Sequence, residues 1–296
     1  MSANYTFIIN RLANSGRALS IIQAHHNLAA KILGSVDYIS VDINYTLEQA
    51  ITEFADTNTT LVICGGDGTL HIALESLINR DITIGYLPVG SGNDFSKSIG
   101  LSRSYRKNLK ILSSGNAKKY DVVRVNKQVT MINTLGVGFD GQANYYANKA
   151  KIFTGSLRYM IASVKTIFNS HPFKAKVLMD GNSTEIFTYL AIIANGKFEG
   201  GKYLVSPTSD PSDGVVELLY TNSQHRFRII WEFIRLSLGL SFSKSVVKTQ
   251  SFKKLQMTFD SSPYCHADGE LIKLEKRLNV EVVPAGISII SPITNN

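Results

Sequence analysis

Three short stretches set carboxylates among glycines in a way that suits phosphate chemistry. The first is Leu61-Val62-Ile63-Cys64-Gly65-Gly66-Asp67-Gly68-Thr69-Leu70-His71. Its apolar residues read as a buried strand, and Leu70, Ile72, Ala73, Leu74, Leu77 and Ile78 repeat at helical spacing after the glycines. Glycine permits positive φ and a close ligand approach, and the first amides of the helix lack internal partners and attract anions. Asp67 would repel a phosphate unless a cation sits between them, which points to a magnesium-bound nucleotide. The plainer alternative is a tight turn in which Asp67 caps the helix. The second stretch is Pro88-Val89-Gly90-Ser91-Gly92-Asn93-Asp94-Phe95. Ser91 can donate to a phosphate oxygen. Asn93 and Asp94 hold the loop, reach a hydrated magnesium or cap a helix beginning near Phe95, and capping and ligand contact are both expected. The third is His266-Ala267-Asp268-Gly269-Glu270. Phosphoryl transfer to an alcohol needs a group to accept the hydroxyl proton and a clamp for developing charge. Asp268 is the expected base. Glu270, two positions on along a strand, faces the same side as the alternative base or orienting partner. Taken alone, this stretch also fits a hairpin turn with two exposed acids.

Alternating elements position the first two stretches. A strand over 5–9, a polar turn over 10–17, a helix over 18–33, a strand over 38–41, a helix over 46–55 and a strand over 82–87 flank the central turn. Strands alternating with helices predict a parallel sheet covered on both faces, with ligands outside the carboxyl ends of the strands, where these loops lie. A new strand opens at Lys119-Tyr120-Asp121-Val122. From about Val122 short apolar runs over 129–135, 175–179, 189–194, 215–220, 254–259 and 278–283 alternate with turn residues, and Asp180-Gly181 is a hairpin signal. That half reads as an antiparallel β-sandwich. Gly136 and Gly138 allow a bulge within it. Helical patterns over 153–168 and 227–240 interrupt it, with Lys149, Lys151, Arg158, Lys165, Arg226, Arg228 and Arg235 on or near them. Such basic amphipathic helices suit an anionic bilayer. Packing on the sandwich with a solvated cationic face is the preferred expectation. Exposure of bulky apolar side chains decides between the two.

A chain of 296 residues suggests two domains, and its 44% apolar content is that of a folded protein. Lys and Arg number 31 against 23 Asp and Glu, and the pI is about 9.3. A basic surface attracts nucleic acid, anionic lipid or phosphorylated ligands. No nucleic-acid signature accompanies it, so no nucleic-acid partner is expected. Cys64 and Cys265 give neither metal spacing nor a disulfide framework, which fits a reduced cytosolic compartment. The N-terminus enters a strand directly without signal-peptide features, and no apolar run reaches the roughly 18 residues of a spanning helix. A protein acting on lipid would therefore visit the membrane surface peripherally. Gly196 to Lys202 fits the P-loop spacing, but Tyr203 replaces its hydroxyl residue and no strand-to-helix context surrounds it, so that motif is rejected.

The Gly65–Thr69 stretch resembles the signature of the diacylglycerol and sphingosine kinase family, shared with the more distant NAD kinases. Pro88–Phe95 and Asp268-Gly269-Glu270 resemble the second and third lipid-kinase motifs, in order and across nearly the whole chain. The chain is thus identified as resembling the bacterial diacylglycerol kinase catalytic-domain type. The resemblance implies an α/β nucleotide domain over 1–121 with a returning segment over 286–296, a β-sandwich lipid-binding domain over 122–285, and a site between them. It implies ATP and Mg2+ as cofactors. Asn10, Ser15 and Gly16 would contact the nucleotide, although the proline usual in that turn is missing; a simple strand-to-helix connection is equally open. Asp42 stands where relatives often place a threonine against the nucleotide, and is otherwise a loop aspartate. Asp67, Asp94 and Asp121 would converge on the metal-nucleotide through water. Asp213, with carbonyls near Asp210 and Val215, would hold a structural magnesium; a β-turn at Asp213-Gly214 is the alternative. The implied activity is ATP-dependent phosphorylation of a lipid hydroxyl, of diacylglycerol or a related lipid. An NAD kinase and a non-catalytic lipid- or nucleotide-sensing protein remain as rivals, and a homodimer is open.

Overall fold

The computed structural model describes residues 4–78, 80–149, 166, 170–222 and 225–293. The chain forms two compact units, Met1–Tyr120 with Ala285–Asn296, and Asp121–Pro284. The helical pattern over 153–168 lies outside the described residues apart from Thr166.

The first unit runs β1 (Asn4–Asn10), α1 (Ala18–Ala24), α2 (His26–Leu33), β2 (Val36–Val41), α3 (Leu47–Phe54), β3 (Thr59–Gly65), α4 (Asp67–Leu77), β4 (Thr83–Pro88), α5 (Asp94–Ser98) and α6 (Tyr105–Ser114). Its strands pair in parallel in the order β2-β1-β3-β4. The loops after all four strands therefore open on one edge. Phe7, Ile22, Val62, Leu87 and Leu109 pack with their neighbours in one buried cluster. The helix expected over 18–33 is two helices. His25, at φ −112°, separates them, and its Nδ1 lies 2.8 Å from the Ile21 carbonyl. Thr46 caps α3 in a capping box with Gln49, worth about 1 kcal/mol.

The second unit continues with β5 (Ala117–Val125), β6 (Val129–Met131), β7 (Thr134–Gly138), α7 (Phe139–Lys149), β8 (Phe173–Met179), β9 (Asn182–Thr188), β10 (Leu190–Ala194), β11 (Phe198–Glu199), β12 (Tyr203–Leu204), β13 (Val216–Thr221), α8 (Arg226–Ser237), β14 (Val247–Phe252), β15 (Lys254–Phe259), β16 (Cys265–Ala267), β17 (Glu270–Ile272) and β18 (Arg277–Ile290). One sheet has the order β14-β13-β10-β7-β16-β17. Facing strands β18, β15, β8 and β9 form an antiparallel run, with β5 and β6 beside β18. Side chains from both sheets, among them Leu135, Ile193, Leu218, Val177, Met257 and Leu278, make one buried core. The fold is thus a parallel α/β domain and an antiparallel β-sandwich domain. On β10, Ala191 and Ile193 enter this core while Leu190, Ile192 and Ala194 belong to a second cluster on the opposite face.

Three expectations change in detail. The run over 129–135 is broken into β6 and β7, because the amides of Ile132, Asn133 and Thr134 bond to a side chain rather than to a strand. The run over 278–283 and the start of the returning segment over 286–296 are one strand. It passes through Pro284 and Ala285, where Ala285 has φ 53°, and Ser288 and Ile289 then pair in parallel with β4. The apolar pattern over 227–240 is helical only to Ser237. Among the described residues, no helix is long and apolar enough to cross a membrane.

Candidate active site

The two glycine loops of the first unit are built against each other. Val89 N–H bonds to the Gly65 carbonyl at 2.9 Å. A Cβ on Gly90 would sit 2.4 Å from Gly66 Cα and 2.7 Å from Asn93 Oδ1. One on Gly65 would sit 2.3 Å from Thr69 Oγ1. None of Gly65, Gly66, Gly68, Gly90 and Gly92 has positive φ. Gly66 and Gly90 thus serve close approach of chain to chain and Gly65 makes room for the Thr69 side chain, and the expected positive φ is corrected. The left-handed residue is Asn93, at φ 55°, whose Nδ2 donates to the Pro88 carbonyl at 3.2 Å and the Gly90 carbonyl at 2.7 Å.

Capping also differs from expectation. Gly66, not Asp67, is the N-cap residue of α4, and Asn93 makes no side-chain cap to α5. Instead Asp67 Oδ1 accepts the Phe95 N–H at 3.1 Å, so the first loop's carboxylate caps the helix that follows the second loop. Asp94 is buried, and its Oδ1 takes the Lys97 ammonium at 2.9 Å. Both acids raise the pKa of Tyr86, which burial already pushes well up. Ser91 is exposed.

Asn10 belongs to the same edge. Its Nδ2 donates to Thr69 Oγ1 at 3.0 Å, and its Oδ1 accepts the Leu12 N–H at 3.0 Å. Asn14, Ser15 and Gly16 follow with φ of 54°, 55° and 82°, a run of left-handed residues that makes the turn without a proline. Asp42 closes its own loop, accepting the Asn44 N–H at 2.8 Å, and lies 3.7 Å from Arg11. Those backbone bonds, before Arg11, hold its carboxyl below the usual range.

In the second unit Asp268 and Gly269, at φ 50° and 88°, form a two-residue turn between β16 and β17 with Ala267 opposite Glu270. The two acids therefore do not share one extended strand. The Asp268 carboxylate accepts three backbone N–H groups, from Ile132 at 3.0 Å, Asn133 at 2.8 Å and Thr134 at 3.2 Å. Glu270 is exposed. Asp180-Gly181 repeats the device: Asp180 has φ 46°, and its carboxylate accepts the N–H of Lys253 and Lys254. Asp121 is buried, and its Oδ2 accepts the Gly214 N–H at 2.7 Å, which groups it with the turn over 210–214. Asp213 Oδ1 accepts the Val215 N–H at 3.1 Å, and the Asp210 carbonyl accepts the Asp213 N–H at 3.3 Å. Burial, then Asp210 and Asp121, push the Asp213 carboxyl up against that Val215 bond.

Sequence reading missed a fourth cluster. His266 Nε2 lies 2.9 Å from Asp140 Oδ2 and 3.3 Å from Glu199 Oε1, and all three residues are buried. A Cβ on Gly136 would meet Asp140 Oδ2 at 1.9 Å and His266 Nε2 at 2.4 Å, so that glycine makes room for the cluster. Burial pushes the imidazole toward its neutral form, and Asp140 and Glu199 push harder the other way. The Gly269 N–H lies 3.2 Å from Nδ1 on the other side of the ring, while Nε2 faces the two carboxylates. Burial and the neighbouring Asp140 charge raise the Glu199 carboxyl to about 7. Glu199 and Asp140 also line an apolar cavity of about 40 Å³ with Phe139, Tyr203 and Leu236.

Comparison with known proteins settles the family. Residues 4–125 match the diacylglycerol kinase catalytic domain, and residues 133–291 match the YegS C-terminal NAD kinase beta sandwich-like domain. The chain belongs to the diacylglycerol kinase-like lipid kinase family. "Putative lipid kinase SAS0691" of Staphylococcus aureus (strain MSSA476) is 28% identical over 254 residues, covering 84% of this chain and 82% of that protein. A structure of a diacylglycerol kinase from Bacillus anthracis str. Sterne superposes with a TM-score of 0.75 at 18% identity, covering 98% of this chain and 97% of that one. A second, of a "putative diacylglycerol kinase" from the same organism, gives 0.79 at 19% identity over 98% and 95%. At that identity the two structures bear on the fold alone.

Membership in a lipid kinase family implies ATP, and the first unit's residues fit a magnesium-bound nucleotide. A Cβ on Gly92 would lie 2.9 Å from Asp67 Oδ2 and 3.6 Å from Asp94 Oδ2, so two carboxylate oxygens lie beside one backbone position and offer the ligand type a hard cation takes. Asn93 Oδ1 is buried without a hydrogen-bond partner. A cleft of about 370 Å³ opens beside this loop, lined by Gly90 to Asn93 with Asn14, Arg103 and Tyr105. Arg103 supplies a guanidinium suited to phosphate. It lies beyond the motif, so motif spacing did not single it out. The Asp213 turn fits a magnesium ion too, since its donors are oxygens and its carboxylates crowd one another.

Proposed function

We propose that this lipid kinase transfers the γ-phosphate of ATP to the hydroxyl of a lipid, with diacylglycerol as the first acceptor to test. The mutual locking of the two glycine loops, with Asp67 spanning from one to the other, carries this reading. ATP supplies the phosphoryl group, and its magnesium neutralises charge on the phosphates. Asp67 and Asp94 would hold that ion, and Gly66, Gly68 and Ser91 present donors to the phosphates. Asn10 and Thr69 fix the neighbouring turn, and Asn14, Ser15, Gly16 and Arg103 border the nucleotide. Asp121, Asp210, Asp213 and the Val215 backbone would hold a structural magnesium. Asp268 accepts the hydroxyl proton from a position fixed by three amides, with Glu270 as the exposed alternative. Asp42, already engaged in its own turn, serves the loop shape.

One observation favours a second reading, a lipid- or nucleotide-binding protein without turnover. The Asp268 carboxylate is occupied in the same way as that of Asp180, which sits in an ordinary hairpin. The test is ATP- and magnesium-dependent phosphate transfer to diacylglycerol, sphingosine, ceramide, phosphatidylglycerol and NAD. Transfer to one lipid, abolished in Asp67→Ala, is the expected result. Nucleotide binding with no acceptor phosphorylated would favour the second reading.

A further inference from the structure

Helix α8 is apolar on two sides. Ile229 and Leu236 are buried, and Ile230 and Phe233 pack against the cluster containing Phe139, Leu190 and Leu219. That is the face the sandwich requires. On the other side Phe227 is 84% exposed, Trp231 59%, Ile234 41% and Leu238 72%. Positions 227, 231, 234 and 238 follow the spacing of a single helical stripe. A row of four large apolar side chains left in water calls for an occupant.

The charges on the helix say which one. Arg226 and Arg228 are exposed at its first turn. Its sole acid, Glu232, is buried, and its carboxylate accepts the Ser243 N–H at 2.7 Å with Arg235 at 3.6 Å. Among the described residues, the helix thus offers aromatic and aliphatic side chains beside guanidinium groups and no exposed carboxylate of its own, on a chain of net charge +8. A second copy meeting it face to face would set like charges together. An anionic bilayer offers both complements, acyl chains for the stripe and phosphates for the arginines, and Trp and Phe suit its interface.

We propose that α8 docks this protein onto the surface of an anionic membrane, with Phe227, Trp231, Ile234 and Leu238 entering the acyl boundary and Arg226 and Arg228 on the lipid phosphates. This deepens the lipid-kinase reading by supplying the route to a membrane-held acceptor, but the docking needs neither ATP nor Asp268.

Trp231 is the chain's only tryptophan, so its fluorescence reports the surface directly. The full chain would be titrated, without nucleotide, with vesicles of phosphatidylcholine and phosphatidylglycerol and with vesicles of phosphatidylcholine alone. The expected result is a blue shift and quenching by lipids brominated near the carbonyl end, with binding at least 10-fold tighter to the anionic vesicles. Phe227→Ser with Leu238→Ser is expected to weaken binding 10-fold or more. Arg226→Gln with Arg228→Gln should lower affinity by a similar factor and flatten its salt dependence. Unchanged thermal melts would show that the variants fold. Unshifted emission with anionic vesicles overturns the proposal. So does Trp231 already shielded from iodide in solution, or shielded in a dimer seen by sedimentation, since another surface then covers the stripe. Vesicle binding with no lipid phosphorylated by any assay leaves the docking standing and removes the kinase reading instead.

Discussion

At Asp268 the structural and catalytic roles of one carboxylate can be separated, because the fold contains its own control. Asp180 and Asp268 both open a two-residue turn and both accept backbone N–H groups from a neighbouring segment. An amide in place of the carboxylate sets an N–H donor against a backbone donor, at a cost of about 1–3 kcal/mol at part-buried Asp268 and less at exposed Asp180, where water can take over. Asp268→Asn is therefore expected to lose more stability than Asp180→Asn in urea unfolding, and only Asp268→Asn to lose phosphate transfer, by 100-fold or more. Equal activity in the two variants would move the base to Glu270 or remove it. Glu199 gives a pH prediction. Its folded-state value, about 7, lies above its ordinary 4.5. Its contribution to stability is complete below about 4.5 and is lost as pH rises through 7, and a shift of that size amounts to about 3 kcal/mol at most. Wild type is expected to lose about 2–3 kcal/mol relative to Glu199→Gln between pH 5 and 8. A difference independent of pH would show that Glu199 is ionised throughout.

Between elements, the glycine loops act as one piece because two backbones touch. A methyl group at Gly90 would lie 2.4 Å from Gly66 Cα, and neither backbone can yield without moving the start of α4 or α5. Gly90→Ala is thus expected to weaken nucleotide binding by at least 10-fold and to lower stability by about 1–3 kcal/mol, the usual cost of overpacking. Gly115→Ala has nothing within 4 Å and suffers only its left-handed φ of 69°, so it should cost less and leave binding alone. Isothermal titration with ATP and magnesium would check both. The break between β6 and β7 follows the same logic, since the Asp268 carboxylate takes the three amides a continuous strand would have given its neighbour.

Over the whole molecule, two strands, β5 and β18, start in one unit and finish in the other, and in β18 Ala285 is left-handed at φ 53°. An L-residue there carries about 1–2 kcal/mol of strain that glycine avoids, partly offset by glycine's larger unfolded-state entropy. Ala285→Gly is expected to raise stability by about 0.5–1 kcal/mol in thermal unfolding, and a loss would place the strain elsewhere.

Much of this was written locally. The alternation of strands and helices before Val122, the short alternating runs after it, and the two Asp-Gly turns each depend on neighbours within a few residues. Such signals are carried by backbone preference and the period of apolar side chains. The three carboxylate and glycine stretches were legible for the same reason. What no local pattern contained was the partner of each group. Asp67 caps a helix 28 residues away, Asp268 holds amides about 135 away, and His266 meets Asp140 across 126. Those pairings, the backbone contact that requires Gly66 and Gly90, and the choice of which face of α8 stays in water are settled by how the elements pack. A helix carries the same apolar stripe whether a sheet covers it or not, and only tertiary structure decides which stripe is covered.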